Sequence, residues 1–360
     1  MVETPVGAEM VLDGRRFINF GGSSYLGLSG IPEILEAGCA ALRECGSGYQ
    51  FHRHYDIATR GHLEAEAQAA DFFAMPAAVY LASGYHFGLV GVAALAQKYT
   101  RLFCDEMAHH TLHAGAAASG LPTHSFRHLD VEDFEVNLKR HCRAKDRALI
   151  ITDGMYATYG DIAPLDQFAA VMAGYEGRLL VDESHSFGVL GNTGRGASEH
   201  YNLPSSSVLF GGSTGKAFGV VGGLIPASVE EVAACRATPA GRGALSGLPA
   251  AGAMCARSLQ YVRQHPELLE RLRANTMYMK RGLRKLGLDV GETVAPVATF
   301  VTKPGDSLDV LQQQLFSEGI HVVVSHYIGA GSGGVIRCGI FADHTLEHMD
   351  RLFDALRRLL

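Results

Sequence analysis

Apolar and polar positions fall into two textures along the chain. Short apolar runs rich in β-branched residues, Ala148–Thr152, Arg178–Asp182 and Ser206–Phe210, alternate with amphipathic stretches, Gly61–Phe73, Val131–His141 and Pro164–Ala173. Strands buried on both faces read as such uninterrupted runs, so this order predicts an α/β large domain with a mostly parallel central sheet flanked by helices. After Gly241 the pattern changes to one long amphipathic helical stretch, Pro249–Leu286, then strand Thr299–Thr302, helix Leu308–Glu318, strands Ile320–Val324 and Val335–Ile340, and a closing helix Leu346–Leu359. That is the texture of a smaller α+β C-terminal domain. Upstream, Met10–Phe20 reads as a hairpin turning at Asp13-Gly14 and feeding a loop. The predicted divisions are an N-terminal segment 1–30, a large domain 31–245 and a small domain 246–360.

Composition narrows the classes. In 360 residues, 47% hydrophobic and 19% charged positions describe a folded chain able to bury more than one core. Forty-three glycines against twelve prolines fit the many strand-to-helix corners of an α/β protein. The net charge is −6, and the basic pairs Arg15-Arg16 and Arg357-Arg358 are short, which argues against nucleic acid as a partner. Seven scattered cysteines without a C-x-x-C pair point away from a disulfide framework or zinc ribbon and toward a reducing cytosol. No apolar run is long enough to span a membrane, and Met1-Val-Glu-Thr-Pro5 lacks the build of a signal peptide, so the chain is expected to start at its mature end.

Several patterns imitate motifs. Gly211-Gly-Ser213-Thr-Gly215 matches G-x-S-x-G after a strand, but a turn and a further strand follow where a nucleophile elbow needs a helix. The same stretch fails as a P-loop, because Ala217 follows Lys216. Gly329-Ala-Gly331-Ser-Gly-Gly334 lies between two strands with no helix to receive a pyrophosphate. His109, His110 and His113 have zinc-like spacing but lack the glutamate of H-E-x-x-H, and no metal site is expected.

The informative constellation is a set of strand ends. Asp182 ends one apolar strand with His185 three residues on, and Lys216 follows the next strand; upstream, Ala82-Ser-Gly84-Tyr85-His86-Phe-Gly88 opens a helix. Catalytic groups of open α/β sheets collect at the carboxyl ends of strands. A lysine for a Schiff base, a carboxylate for a pyridinium nitrogen and backbone N–H groups at a helix start for a phosphate are the parts that pyridoxal 5'-phosphate requires. Each piece alone is ordinary: an acid caps a turn, a lysine in a glycine loop is solvated, Ser-Gly starts a helix. Their combination in this order is not.

At these residues the sequence resembles the α-oxoamine synthase family of fold-type I pyridoxal-phosphate enzymes, nearly end to end. The markers are Asn19-Phe20-Gly-Gly-Ser-Ser-Tyr25-Leu-Gly-Leu28, Gly46-Ser-Gly48, Ser83-Gly84-Tyr85, Asp105-Glu-Met-Ala-His109, Thr152-Asp-Gly154 with Gly160-Asp-Ile-Ala-Pro-Leu165, Val181-Asp182-Glu-Ser-His185 with Gly188-Val-Leu-Gly191 and Gly194-Arg-Gly196, Ser213-Thr-Gly-Lys216-Ala-Phe-Gly219, and Arg337 seven before His344. The resemblance implies Lys216 as the Schiff-base lysine, Asp182 as partner of the pyridine nitrogen and His185 as hydrogen-bonder to the ring hydroxyl. It implies His109 as the ring-stacking histidine that assists acid–base steps. Gly84, Tyr85 and Ser213 would bind phosphate, and Ser246 would reach it from the other subunit of a homodimer with shared active sites. Arg337 would hold the amino-acid carboxylate.

The chain also departs from the family. Ser23-Ser24 stands for the usual Asn-Asp, which puts Ser23 at the amino-acid site; Ala157 stands for a common Ser, Arg60 for a usual His, and Phe341 for a Thr near the substrate; the N-terminal helix that often carries an acyl contact in the family is not expected from Met1 onward. The implied reaction is decarboxylative condensation of a small α-amino acid with an acyl thioester, delivered by coenzyme A or a carrier protein, to an α-amino ketone. The alternatives are an aminotransferase or other Cα chemistry on the same fold, a serine hydrolase using Ser213, and a silent partner subunit, which retention of Asp182, His185 and Lys216 disfavours.

Overall fold

The computed structural model describes residues 1–48, 57–243, 247–302 and 307–360. At the N-terminus β1 (Glu9–Leu12) and β2 (Arg15–Asn19) form the expected hairpin. Asp13 and Gly14 both take positive φ (46° and 73°), the backbone that a two-residue hairpin turn demands.

The centre is a seven-stranded sheet of β3 (Ala77–Leu81), β4 (Arg101–Asp105), β5 (Thr123–Phe126), β6 (Ala148–Asp153), β7 (Arg178–Asp182), β8 (Val208–Ser213) and β9 (Gly223–Ala227). Its order is β3-β9-β8-β7-β6-β4-β5; the run from β8 to β5 is parallel, and β9 runs antiparallel to both β8 and β3. β6 is buried at every position, the consequence of apolar cover on both faces. One face packs a phenylalanine-rich core including Phe73, Phe103, Phe134, Phe168 and Phe218; the other packs Phe87, Leu102, Ile151, Leu180 and Leu209.

Four expectations need revision, the first being the strand placed at Thr299–Thr302, which runs Val297–Phe300. The stretch Pro249–Leu286 is two helices, Pro249–Gln264 and Glu267–Lys285, because Pro266 cannot donate a helical N–H and bars helical backbone at His265. The first of them packs on helices Pro32–Cys45 and Arg60–Phe72, so closely that a Cβ at Gly61 would lie 2.5 Å from the Pro249 carbonyl oxygen. The strand placed at Ser206–Phe210 instead runs Val208–Ser213; Gly211 and Gly212 continue it where a Cβ would fall 2.6 Å from the Leu224 oxygen and 2.5 Å from the Ser184 nitrogen. The run Ile320–Val324 divides between two sheets.

Those sheets join the chain ends. β10 (Val297–Phe300), β12 (Val323–Ser325) and β13 (Val335–Gly339) form an antiparallel trio, while β11 (Ile320–His321) pairs in parallel with β2. The N-terminal hairpin is therefore built into the C-terminal sheet system, and Ile18 and Phe20 share a core with Met279, Phe300, Ile336 and Met349. Helix Leu346–Leu359 closes that core.

Candidate active site

Adjacent parallel strands bring their final residues side by side. In the β6–β7 register Asp153 lies opposite Asp182, and both are buried. Asp182 is fixed by a hydrogen bond from the Ser184 N–H to Oδ1 (2.8 Å). β8 ends at Ser213, and Lys216 sits in the loop beyond it. That loop is closed by the Thr214 hydroxyl donating to the Val220 carbonyl (2.7 Å) and by the Thr214 N–H donating to the Gly222 carbonyl (3.0 Å); Gly219 supplies a positive φ of 67°. Desolvation pulls the Lys216 ammonium below the usual lysine range, with Asp182 and Asp153 opposing and Arg337 assisting. An amine so placed loses its proton readily.

His185 is buried and pairs through Nδ1 with the Tyr25 hydroxyl (2.8 Å). Burial, then the positive charges of Lys216 and Arg337, push it well below the ordinary histidine range, so it is a neutral imidazole. His109 caps helix His110–Ala118: its Nδ1 accepts from the Thr111 N–H (3.3 Å) and lies 2.8 Å from the Thr111 hydroxyl, which assigns its ring proton to Nε2. Burial also lowers the proton affinity of His109, with Asp182 acting against it. The rings of Tyr85 and Tyr327 flank it at 6.4 and 6.3 Å between centroids.

Gly84 and Tyr85 form the corner before helix His86–Ala96. A Cβ at Gly84 would lie 2.4 Å from the Ser213 Cα, so only glycine lets this corner meet the end of β8. The Ser213 hydroxyl accepts from the Gly215 N–H (3.1 Å), and among the described residues no histidine hydrogen-bonds to it. β9, with no helix, follows Ser213, so a nucleophile elbow is not built here. Ser246 lies outside the described residues.

Arg337 reaches the cluster from β13. Its Nε donates to the Ala157 carbonyl and its Nη1 to the Gly22 carbonyl, each at 2.8 Å, while Nη2 lies 3.4 Å from both the Ser23 and the Tyr25 hydroxyls. Two firm bonds aim the guanidinium, and its loosely held end is the one beside Ser23. The Ala157 that Arg337 holds borders a cleft of about 140 Å³, together with His109, Asp153, Tyr159, Tyr327 and Ile328. Of the departures from the family pattern, Phe341 is fully buried and stacks on His344 (5.0 Å), and Arg60 lies on the surface 3.8 Å from Glu44. His113 turns away to Cys104 (3.6 Å), and no group among the described residues could hold a metal ion.

Lys216, Asp182, His185, His109, Gly84, Tyr85, Ser213 and Ser23 thus lie on loops and strand ends around one region, which Arg337 enters from the middle of β13. Sequence reasoning assigned no role to Tyr25, Asp153, His128 or Tyr327. Asp153 carried a usable signal, since it ends an apolar strand as Asp182 does. Tyr25 and Tyr327 carried none, because their partners are distant in the chain.

The description of the class I and II aminotransferases matches residues 15–356. The 8-amino-7-oxononanoate synthase of Treponema denticola is 31% identical, over 97% of this chain and 89% of its own; that of Fervidobacterium nodosum is 30% identical, over 99% and 92%. The serine palmitoyltransferase of Bacteroides ovatus is 27% identical over 99% of this chain and 90% of its own. Among solved structures, the serine palmitoyltransferase of Sphingomonas wittichii superimposes with a TM-score of 0.92 at 26% identity, covering 99% of this chain and 90% of that one. A high-resolution serine palmitoyltransferase structure with its pyridoxal-phosphate internal aldimine also gives 0.92, at 27% identity and the same coverage.

Proposed function

Because this chain belongs to the α-oxoamine synthases, within the class I and II aminotransferase family, we propose that it is a pyridoxal-phosphate enzyme that condenses a small α-amino acid with an acyl thioester and, with loss of carbon dioxide, forms an α-amino ketone. The observation that carries the reading is the meeting of a buried carboxylate, a neutral buried histidine and a lysine of lowered proton affinity at the ends of β7 and β8. The relatives named 8-amino-7-oxononanoate synthase and serine palmitoyltransferase support acyl transfer over amino transfer.

The residues present suit that cofactor. Asp182 offers a buried carboxylate for the ring nitrogen, His185 a neutral partner for the ring hydroxyl and Lys216 the attaching amine. The corner of Gly84 and Tyr85 against Ser213 offers small residues and a helix start for the phosphate. When bound, the cofactor supplies an electron sink for negative charge at the substrate Cα. Asp182 would face the ring nitrogen and favour its protonated form, and Tyr25 holds His185 in one orientation through Nδ1. Lys216 Nζ and His109 Nε2 are the proton carriers at the reacting carbons. Arg337, aimed by the Ala157 and Gly22 carbonyls, turns Nη2 to the substrate carboxylate beside Ser23.

Partner and compartment belong to the same reading. Tyr85, Val221 and Leu248 expose 58%, 71% and 50% of their surface, the first two on loops that adjoin Gly84 and Lys216 and the third at the start of helix Pro249–Gln264, apolar area that a second copy would cover in a homodimer with shared sites. All seven cysteines are unpaired, four of them buried, which supports a reducing cytosol. No helix among the described residues is long and apolar enough to cross a membrane.

The test is to follow the visible absorption of cofactor-loaded protein while amino acids and then acyl thioesters are added, with carbon dioxide and free thiol assayed in parallel. Release of both, only when both substrates are present, is the expected result. Conversion of the cofactor to its amine form by an amino acid alone would instead make the protein a transaminase.

A further inference from the structure

Asp153 has an unusual set of neighbours for a carboxyl group. It ends β6, is 5% exposed and lies in register beside Asp182. One oxygen, Oδ2, accepts the main-chain N–H of His109 at 2.8 Å. Among the described residues Oδ1 accepts no hydrogen bond, and Asp153 borders the cleft that His109, Ala157 and Tyr327 also line. Nothing in the packing of β6 requires an acid there: the five residues before it are Ala148, Leu149, Ile150, Ile151 and Thr152, all buried.

The His109 main chain is a sensitive place to hold. His109 is the cap of helix His110–Ala118, with backbone outside the helical region (φ −55°, ψ 142°), so its ring direction depends on how the peptide entering the helix is anchored. Among the described residues its side chain hydrogen-bonds only to Thr111, two residues along the same turn. The turn leaves β4, where the Ala108 and Met107 N–H groups bond to Asp105, and the bond from Asp153 adds a tie from its far end to the last residue of β6, beside the Asp182 strand end.

We infer that Asp153 is a positioning residue of the reaction: one carboxyl oxygen grips the His109 main chain and sets that ring over the reacting centre, while the other is left open to the cleft. The inference rests on the role proposed above for His109. Two adjacent buried carboxyls do not both ionise readily, and burial together with the charge of Asp182 drives Asp153 toward its neutral form. A neutral acid gripping through its carbonyl oxygen is matched in shape and bonding by an amide. Asparagine is therefore the conservative replacement, whereas leucine keeps the volume and removes the grip.

The experiment uses cofactor-loaded protein and reads exchange of the amino-acid Cα proton with solvent deuterium by NMR, with no thioester present, alongside the pH midpoint of the cofactor's visible band. Asp153→Leu, and Asp153→Ala as a second variant, should slow exchange about tenfold, while Asp153→Asn should stay within about threefold of the parent. In a His109→Ala background the Asp153→Leu loss should shrink to about twofold or less, because the two residues act as one unit. Equal losses in both backgrounds, or an Asp153→Asn protein as slow as Asp153→Leu, would overturn the inference and leave the role of His109 standing. Unchanged exchange in His109→Ala alone would overturn both. Thermal midpoints of the same proteins separate a lost grip from a lost fold: a slowed Asp153→Leu that melts with its parent supports positioning. If slowing tracks melting across the variants, the role is merely structural and the inference falls.

Discussion

The pair His128–Asp105 lets one perturbation be followed quantitatively. His128 Nδ1 lies 2.9 Å from Asp105 Oδ1, its Nε2 3.8 Å from Asp161, and its ring meets the edge of Tyr156 at 4.4 Å. Burial alone would lower the imidazole's proton affinity, but the hydrogen bonds and charges of the two aspartates outweigh it and hold His128 at about 9. Against the ordinary value near 6.5, a rise of that size is worth at most about 3.4 kcal/mol, and with 18% of the side chain still exposed about 2 kcal/mol is the realistic figure. The affinity is raised in the folded state, so this stability is fully present below about pH 6.5 and is lost as the pH rises through about 9. His128→Gln keeps a polar side chain and removes the charge. In urea unfolding of the cofactor-free protein, the advantage of the parent over His128→Gln should shrink by about 2 kcal/mol between about pH 6 and about pH 10. A difference that stays constant over that range, or grows with pH, would refute the assignment of a charged His128.

Lys216→Ala should abolish turnover and the visible band of the attached cofactor, and normal turnover in that variant would remove the basis for the proposed chemistry. Asp182→Ala should slow Cα-proton exchange by at least about a hundredfold, as loss of a preorganised charge does, and an unaffected exchange rate would contradict its role. Gly84→Ala places a Cβ 2.4 Å from the Ser213 Cα, a backbone-to-backbone clash that side-chain motion cannot relieve, so it should destabilise by about 1–3 kcal/mol and weaken cofactor retention on dialysis. Tyr25→Phe removes the partner of His185 Nδ1 at a buried site; a loss of about 1–3 kcal/mol in unfolding free energy is expected, and a neutral substitution would show that the 2.8 Å contact holds nothing.

The parts of this molecule that could be read from the chain were those whose cause is local. Ala148–Thr152 and Arg178–Asp182 are apolar without alternation because both faces of the sheet are covered, and the acids ending them mark the carboxyl edge. The hairpin at Asp13-Gly14 is equally local. What escaped depended on partners far away. Ile320-His-Val-Val-Val324 is one β-branched run, yet His321 pairs with Asn19 and Val323 with Arg337, a choice that only the folded arrangement makes. The proline that splits Pro249–Leu286 was visible, but the strong apolar periodicity around it outweighed a single residue in the reading. In the candidate site, Asp182, His185 and Lys216 stood out through their order along the chain. Tyr25 meets His185 across 160 residues, and the grip of Asp153 on His109 needs β6 to pair beside β4, the strand that leads into His109, so no local pattern announced either.

The loop at Ala157-Thr158 is stitched to the C-terminal strands at two points and to the loop between β12 and β13 at a third: Arg337 Nε donates to the Ala157 carbonyl, the Thr299 hydroxyl donates to the Thr158 carbonyl, and the Thr158 hydroxyl donates to the Ile328 carbonyl. Mechanically, this loop is freight of the C-terminal strands although it grows out of the end of β6. A rocking motion of the C-terminal sheet must either tear three bonds or carry the cleft wall with it. The pivot of any such motion therefore belongs on the far side of the loop, nearer Asp153, where the chain leaves the rigid strand.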